Sequence, residues 1–248
     1  IAVHLDFDDA ARDACPYFVG RTVRGVTNAE SPDWLKVRLL AVGLRPISAL
    51  VDITNLLTIG LNRPLHVFDA DTVQGDLRLR LAQPGETLMA LNDKEYELDG
   101  DMTVIADEAG AEALGGVMGG LHTGCTGNTV NVFIEAAYFD PLRTSATGRR
   151  LDLQSDARFR FERGIDPAFL VDGMEIATRL VLDLCGGEAS ELVIAGAEPK
   201  WRRDISLRPG RVMSLGGVDV PAGEIDRILT ALGFAVTAED GLLRVAVP

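Results

Sequence analysis

The chain has 248 residues, and 47% of them are hydrophobic, which is enough apolar material for a packed core and excludes a disordered chain. The length predicts two domains. A formal net charge of −13 argues against a protein that binds nucleic acid by overall charge alone, although a local basic patch is compatible with it.

The cysteines and the first residues indicate the compartment. Cys15, Cys125 and Cys185 are far apart, with no CxxC pair and no Cys/His ligand spacing, which argues against structural zinc and fits a reducing, cytoplasmic environment. Four aspartates among the first 13 residues exclude a signal peptide, and no apolar run approaches the roughly 18 residues of a membrane span. A start at Ile1 without Met suggests a fragment of a longer protein.

Two helices are predicted near the start of the chain. Ser31 is a suitable N-cap and Pro32 a suitable first helical residue, and Gly43 ends this helix. A second, shorter helix is predicted over residues 50–59, ended by Gly60.

The middle of the chain is rich in predicted strands. Alternating or continuous apolar residues predict strands over 77–82, 89–91, 96–98, 102–106, 113–118 and 130–136. The longest helix is expected from Pro167 to about Leu184, capped by Asp166 and closed by Gly186 and Gly187.

The composition changes near residue 199. Residues 199–248 hold seven basic and six acidic residues, whereas the rest of the chain carries a charge of −14. This tail predicts a strand over 205–207, a short helix, a helix over 221–232 and a hairpin over 235–247, a winged-helix-like order. The sequence therefore predicts an α+β fold, with a mixed or antiparallel β-rich domain over 1–198 and a small winged-helix-like α+β domain over 199–248.

Two stretches could form a pocket. His66 lies between apolar neighbours in a predicted loop or strand edge, where a lone histidine is either a structural hydrogen-bonding group or a functional one. Residues 114–124 contain five glycines in eleven positions, which fits either a tight turn between strands or a pocket wall of bare backbone. The GxxxxGK[ST] and GxGxxG phosphate-binding motifs are absent.

A third stretch combines an acid with an arginine cluster. Glu135 ends a predicted apolar strand, where it either faces water or is a buried group with a function. Residues 143–163 hold six arginines against three acids, which fits phosphate binding or internal ion pairs. No GxSxG or HExxH motif occurs, so a covalent nucleophile is not supported.

Taken together, five stretches closely resemble the β subunit of bacterial phenylalanyl-tRNA synthetase. They are ACPYFVGRTVRGV, RPISALVDITNLLTIGLNRPLHVFD, ALGGVMGGLHTG, NVFIEAAYFDPLRTSATGRRLDLQSDARFRFERGIDP and LCGGEAS, in the order and spacing of that family. The resemblance runs from about Cys15 to the C-terminus. It implies a tRNA-editing domain over residues 1–198, followed by a small winged-helix-like, DNA-binding-like domain.

The resemblance also implies an activity and partners. The family is an α2β2 heterotetramer that joins phenylalanine to tRNA(Phe) with ATP and Mg²⁺ in the cytoplasm, with the synthetic site on the α subunit. The editing domain hydrolyses tRNA(Phe) that carries tyrosine. No cofactor and no metal ligand is expected within this chain, and no membrane is involved.

Four residues match the family's editing pocket. The resemblance implies that Glu135 contacts the tyrosine hydroxyl, that Gly119 forms part of the wall, and that the small side chain of Ala157 leaves room for the amino acid. Ser155 stands where threonine is common in the family, so it keeps the hydroxyl and loses a methyl group.

Further residues are candidates for the ester and the tRNA. His66 and Asn55 match positions near the scissile ester and are expected to orient substrate or water. Arg149, Arg150 and Arg158 are candidates for contacting the tRNA acceptor end, with bracing of the fold as the alternative. The expected mechanism is attack by water, without a metal or a covalent intermediate.

Two alternative functions stay open at this point. The chain could be a non-catalytic scaffold or nucleic-acid-binding module that supports the α subunit, although the tail's helix over 221–232 holds a single arginine. A free-standing deacylase is a third possibility, which the fragment-like ends disfavour.

Overall fold

Two compact units make up this computed structural model, which describes residues 1–248. They are Ile1–Pro199 and Lys200–Pro248, and this division lies next to residue 199, where the composition changes. Each unit has its own hydrophobic core. No helix in either unit combines the length and the apolar character needed to cross a lipid bilayer.

The first unit contains helices and strands throughout its length. Its α-helices are α1 (Asp33–Ala41), α2 (Ala49–Leu61), α3 (Pro141–Arg150), α4 (Asp156–Phe161) and α5 (Leu170–Cys185). Its strands are β1 (Val3–Leu5), β2 (Tyr17–Arg24), β3 (His66–Asp69), β4 (Leu77–Leu81), β5 (Thr87–Met89), β6 (Glu95–Glu97), β7 (Thr103–Ala106), β8 (Ala111–Leu114), β9 (Met118–Gly119), β10 (Asn131–Tyr138), β11 (Glu188–Ala189) and β12 (Val193–Gly196).

Two five-stranded sheets organise the first unit. The central sheet has the order β11-β2-β10-β3, with β12 also paired to β2, and all its pairs are antiparallel. The outer sheet has the order β1-β4-β7-β8-β9, in which only β1 and β4 are parallel. Strands β5 and β6 form a separate hairpin. The predicted α+β class with mixed and antiparallel strands is confirmed.

The alternation of side chains along β10 explains the layering. Val132, Ile134 and Ala136 pack against helices α1, α2 and α5 on one face. Phe133 and Ala137 point to the opposite face and pack against the outer sheet. Glu135 lies between these two residues on the same face, so its side chain is directed into the layer between the two sheets.

Several predicted helix ends are corrected by the structure. Ser31 does not cap α1, because Pro32 occupies the N-cap and the Ser31 hydroxyl instead donates to Asp52 at 2.6 Å. Helix α2 continues through Gly60 to Leu61 and ends at Asn62, which adopts a left-handed conformation with φ 52°. Tertiary burial of α2 outweighs the helix-breaking tendency of Gly60.

The end of the first unit follows the sequence pattern more closely. Asp166 accepts a hydrogen bond from the Ala168 amide and opens a short 3₁₀ turn, Pro167–Phe169, which leads directly into α5. Gly186 then ends α5 with φ +72°. The sequence predicts neither α3 nor α4.

The second unit is a three-stranded sheet with two helices. Its elements are β13 (Asp204–Leu207), α6 (Gly210–Gly216), α7 (Ala222–Ala231), β14 (Ala235–Glu239) and β15 (Leu242–Ala246), with sheet order β13-β15-β14. The predicted succession of strand, two helices and hairpin is present, and the hairpin turns at Asp240 and Gly241. A small core of Ile225, Leu243 and Val245 holds it together.

Candidate active site

A cavity of about 70 Å³ lies between the central and outer sheets of the first unit. One water needs roughly 10–15 Å³ by this measure, so the cavity has room for several waters or a small ring. Polar groups come from Glu135 and His66, and bare backbone comes from Gly116 and Gly119. The remaining walls are largely apolar, with Phe139, Phe161, Ile105, Leu114, Val117 and Ala157 among them.

Glu135 is the acid of this cavity. It lies in the middle of β10, so its predicted place at the end of a strand is wrong: pairing with β2 continues as far as Tyr138. The residue is only 6% exposed, and its carboxylate has no hydrogen-bond partner in the protein. Burial raises its pKa to about 7, and the positive charge of Arg63 partly opposes this rise. The interpretation that Glu135 faces bulk water is therefore wrong.

His66 is directly opposite Glu135 across the β3–β10 ladder. It is the first residue of β3, which is the edge strand of the central sheet. Its Nε2 is buried without a hydrogen-bond partner, and its ring packs edge-on against Phe68 with centroids 4.4 Å apart. Burial lowers the pKa of His66 to about 4, so the imidazole is neutral at neutral pH.

The glycine-rich stretch is both a turn and a wall of the cavity. Residues 115–117 of this stretch connect β8 to β9, and Gly116 adopts φ +70° within the turn. Gly119 packs directly on the His66 imidazole, so a Cβ at this position would collide with the ring carbon Cε1. Absence of a side chain at Gly119 is therefore what allows His66 to occupy its position.

Ser155 and Ala157 belong to the N-terminus of α4. Ser155 caps the helix by accepting a hydrogen bond from the Arg158 amide at 3.0 Å, and its hydroxyl donates to the Val117 carbonyl at 2.6 Å. Ser155 is not among the residues that line the cavity, whereas Ala157 and Val117 are. The hydroxyl of Ser155 thus links α4 to the turn before β9 and positions these two walls.

Asn55 is not brought to the cavity. It lies in the middle of α2, which packs on the opposite face of the central sheet, and it is not among the lining residues. Of the two residues matched to the scissile ester, His66 lines the cavity and Asn55 does not.

The arginine-rich segment forms mostly internal pairs. Arg150 pairs with Asp99, and Arg158, only 6% exposed, binds Glu162 at 3.1 Å and the Leu153 carbonyl. Arg158 is therefore corrected from a candidate tRNA contact to a brace of the fold, because its guanidinium is buried and occupied. Arg149 is exposed and forms no ion pair.

Most of the chain matches a known domain family. The B3/4 domain family matches residues 14–186, which include both sheets' contributions to the cavity. This chain belongs to the B3/4 domain family. The match contains Glu135, His66, Gly119 and Ala157, and therefore the polar groups of the cavity lie wholly within the B3/4 domain.

Relatives of this B3/4 domain protein carry informative names. The chain is 63% identical to a phenylalanine–tRNA ligase β subunit of Paramagnetospirillum magneticum over 98% of its length, and 56% identical to that of Cereibacter sphaeroides over 91%. These alignments cover 31% and 28% of the relatives, so the chain spans about a third of their length. The resemblance to this family that the sequence motifs indicate is confirmed.

A solved structure is also similar. It is an N-terminal fragment of the phenylalanyl-tRNA synthetase β subunit from Pyrococcus horikoshii, with 15% identity and a TM-score of 0.47. The similarity extends over 99% of this chain and 69% of that one.

One charged residue of the B3/4 domain site, Arg63, is not singled out by any pattern in the sequence. Arg63 is 1% exposed, directly precedes the cavity-lining Pro64, and its Nη2 donates to the Ala137 carbonyl at 3.0 Å. Its position in a polar stretch, Asn62-Arg63-Pro64, predicts an exposed loop residue, and only its proximity to His66 could have drawn attention to it.

The titratable groups of the B3/4 domain do not form a metal centre. No three His, Cys, Asp or Glu side chains in the protein come together in an arrangement suited to hold a metal ion. The polar groups that line the cavity are the carboxyl of Glu135, the imidazole of His66 and backbone groups.

Proposed function

We propose that this chain is the editing part of a phenylalanine–tRNA ligase β subunit, and that its cavity hydrolyses the ester of tRNA(Phe) mischarged with tyrosine. The observation that carries this proposal is the buried, unpartnered carboxylate of Glu135 in an otherwise largely apolar, glycine-walled cavity. A tyrosine ring can pack against Phe139 and Phe161 while its hydroxyl donates to that carboxylate. The names of the relatives support the assignment to a phenylalanine–tRNA ligase β subunit.

The selectivity of such a cavity follows from its unsatisfied carboxylate. Phenylalanine has the same ring without the hydroxyl, so its entry would leave Glu135 buried and without a partner. A site built to bind a hydroxyl rejects the analogue that lacks it far more strongly than an apolar pocket rejects an added hydroxyl. Correctly charged Phe-tRNA(Phe) is therefore spared.

His66 is suited to orient the attacking water. Its ring is neutral at neutral pH and its buried Nε2 has no protein partner, so in the appropriate tautomer it accepts a hydrogen bond from water. The low pKa makes His66 a weak base, and positioning and desolvation of the ester supply most of the rate. Gly119 and His66 both line the cavity, so an ester bound there would lie close to this ring.

Under this proposal, the synthesis of Phe-tRNA(Phe) takes place outside this chain. The whole enzyme joins phenylalanine to tRNA(Phe) with ATP and Mg²⁺ in the cytoplasm, as an α2β2 assembly with the synthetic site on the α subunit. No metal ligand is assigned to any residue here. Residues 1–198 serve as the editing domain, and residues 199–248 as a winged-helix-like domain.

Deacylation of Tyr-tRNA(Phe) by the assembled enzyme tests the proposal. Glu135→Gln keeps the shape of the side chain but removes the charge, and we expect hydrolysis of the tyrosyl ester to fall about 10- to 100-fold, the value of a hydrogen bond to a charged group. The matched control is Glu97→Gln at an exposed position of β6, which should leave hydrolysis unchanged.

Phenylalanine charging is the second readout of the same experiment. It should be nearly intact in Glu135→Gln, because the synthetic site lies elsewhere. Wild-type deacylation of Tyr-tRNA(Phe) by the Glu135→Gln enzyme would contradict the proposal and favour a scaffold role.

A further inference from the structure

Arg63 is a buried cation beneath the proposed editing cavity. Its side chain is 1% exposed and runs past Gly173, whose missing Cβ leaves room for the Arg63 methylenes. The guanidinium lies 5.8 Å from the ring centre of Phe161, a wall of the cavity. A charged side chain is seldom buried so completely without a partner or a function.

Arg63 donates hydrogen bonds close to both polar groups of the cavity. Nη2 donates to the carbonyl of Ala137, two residues after Glu135 on β10, and Nε donates to the carbonyl of Pro64, two residues before His66. The third nitrogen, Nη1, is buried and has no hydrogen-bond partner. Arg63 therefore brings an incompletely neutralised positive charge to the base of the cavity.

The charge of Arg63 acts on Glu135. The attraction is mutual: Arg63 holds the pKa of Glu135 below the value that burial alone would give, and Glu135 in turn opposes the fall in the pKa of Arg63 to about 10. Arg63 stays protonated at neutral pH because its pKa lies well above 7.

We propose that Arg63 is a positioning residue that favours the ionised form of Glu135 and thereby sets the discrimination between a phenol and a phenyl ring in the cavity. This inference rests on the proposed function. An ionised carboxylate accepts a stronger hydrogen bond from the phenol hydroxyl than a neutral carboxyl does. It is also costlier to leave unpaired when a phenyl ring enters, so both effects of Arg63 favour tyrosine.

Few other titratable groups face Glu135. His66, on the neighbouring strand β3, is neutral. Cys15, just before β2, is a buried thiol whose pKa is raised well above its usual value by burial and by Glu135. Asp166, before α5, acts on Arg63 and favours its charged form. The cavity walls from β7, β8, the β8–β9 turn and α4 are apolar or glycine. Arg63 is thus the cation that stabilises the carboxylate.

A carboxyl titration of the full 248-residue chain tests this inference directly. Glutamate side-chain carboxyls are labelled with ¹³C, and the Glu135 signal is assigned as the one missing in Glu135→Gln. In Arg63→Gln we expect the midpoint of Glu135 to rise by about one pH unit, the lower end of the effect of a nearby opposite charge. Arg63→Lys keeps the charge and should restore the midpoint to near the wild-type value.

Controls separate this electrostatic effect from a structural one. Arg179→Gln removes an exposed arginine of α5 and should leave the midpoint unchanged. Gly173→Ala crowds Cγ of Arg63, and we expect it to raise the midpoint without removing the charge. Circular dichroism identifies folded variants. If Arg63→Gln does not fold, the pair Arg63→Lys and Gly173→Ala decides, and an unchanged midpoint in Gly173→Ala then overturns the inference.

Editing selectivity is the second readout. At pH 7.5, a rise of one unit from about 7 lowers the ionised fraction of Glu135 about threefold, so the ratio of Tyr-tRNA(Phe) to Phe-tRNA(Phe) hydrolysis by the assembled Arg63→Gln enzyme should fall about threefold. A folded Arg63→Gln with the wild-type midpoint and ratio overturns the inference. If the wild-type enzyme hydrolyses neither ester, the proposed function fails, whereas the titration still decides whether Arg63 controls Glu135.

Discussion

Glu135 and His66 are directly opposite each other on neighbouring antiparallel strands, and both line one cavity. Their pKa values are displaced in opposite directions by the same cause, because burial raises that of Glu135 to about 7 and lowers that of His66 to about 4. Between these values both groups are neutral, so they do not form an ion pair there. Each side chain is therefore free to make its own hydrogen bond to a bound molecule.

The raised pKa of Glu135 predicts a pH-dependent stability. The folded state holds the Glu135 proton up to about pH 7, whereas the unfolded chain releases it near its ordinary pKa of 4.5, so this contribution to stability is complete below pH 4.5 and is lost as the pH rises to 7. Relative to the wild type, Glu135→Gln should gain up to about 3 kcal/mol in the free energy of unfolding between pH 4.5 and 7.

Urea denaturation of both proteins at several pH values measures this difference. The titration of His66 is common to both chains and cancels in the comparison. Two stability curves that stay parallel from pH 4.5 to 7 would show that Glu135 keeps an ordinary pKa in the folded state.

Gly119 should not tolerate even one methyl group. In Gly119→Ala the new Cβ would meet the His66 ring, so His66 or the β8–β9 turn has to move, at a cost of about 1–3 kcal/mol in the free energy of unfolding. Hydrolysis of the tyrosyl ester should fall as well, because either movement changes the position of His66 relative to the cavity wall. The control is Gly127→Ala, where the new Cβ has open space and the cost should stay within about 0.5 kcal/mol. Equal stability and activity in both variants would exclude the contact as a constraint.

The sequence predicts the strands of the cavity only in part. The apolar residues predict a strand over 130–136, yet the pattern gave no means to see that the strand continues to Tyr138 and that it buries the acid. Glycine-rich residues 114–124 fit a turn or a wall, and the structure shows that they form both. The extent of β10 and the place of the glycine-rich residues depend on pairing between strands that are distant in the chain, and a local sequence pattern holds no information about such pairing.

Charged residues were the least predictable part of the site. Arg63 and Arg158 are charged residues that the fold buries. Gly173, more than 100 positions further along the chain, leaves space for the side chain of Arg63. Gly148, ten positions before Arg158, does the same for Arg158. By contrast, the hairpin of the second unit and the Asp166 cap depend on neighbouring residues alone, and the sequence predicts both.

Ser155 should matter for the geometry of the cavity rather than for contact with the amino acid. Ser155→Ala removes both the cap of α4 and the bond to Val117, and we expect a loss of about 1–2 kcal/mol in the free energy of unfolding. Ser155→Thr keeps the hydroxyl and should retain most of the stability. Thermal unfolding of the three proteins measures this order, and a Thr variant as unstable as the Ala variant would contradict the role of the hydroxyl.

Arg158 and Arg149 should separate folding from tRNA contact. Arg158→Met removes the buried donor of the Leu153 carbonyl and one of the two arginines that bind Glu162, and this loss should cost about 3 kcal/mol in the free energy of unfolding. Arg149→Ala changes an exposed side chain and should cost less than about 0.5 kcal/mol, while a contact with tRNA phosphate would weaken binding and reduce its salt dependence. Urea denaturation and tRNA(Phe) affinity at several salt concentrations measure the two effects. Full stability of Arg158→Met combined with a reduced salt dependence would return Arg158 to the tRNA contacts, because it would show that its guanidinium is available to the solvent.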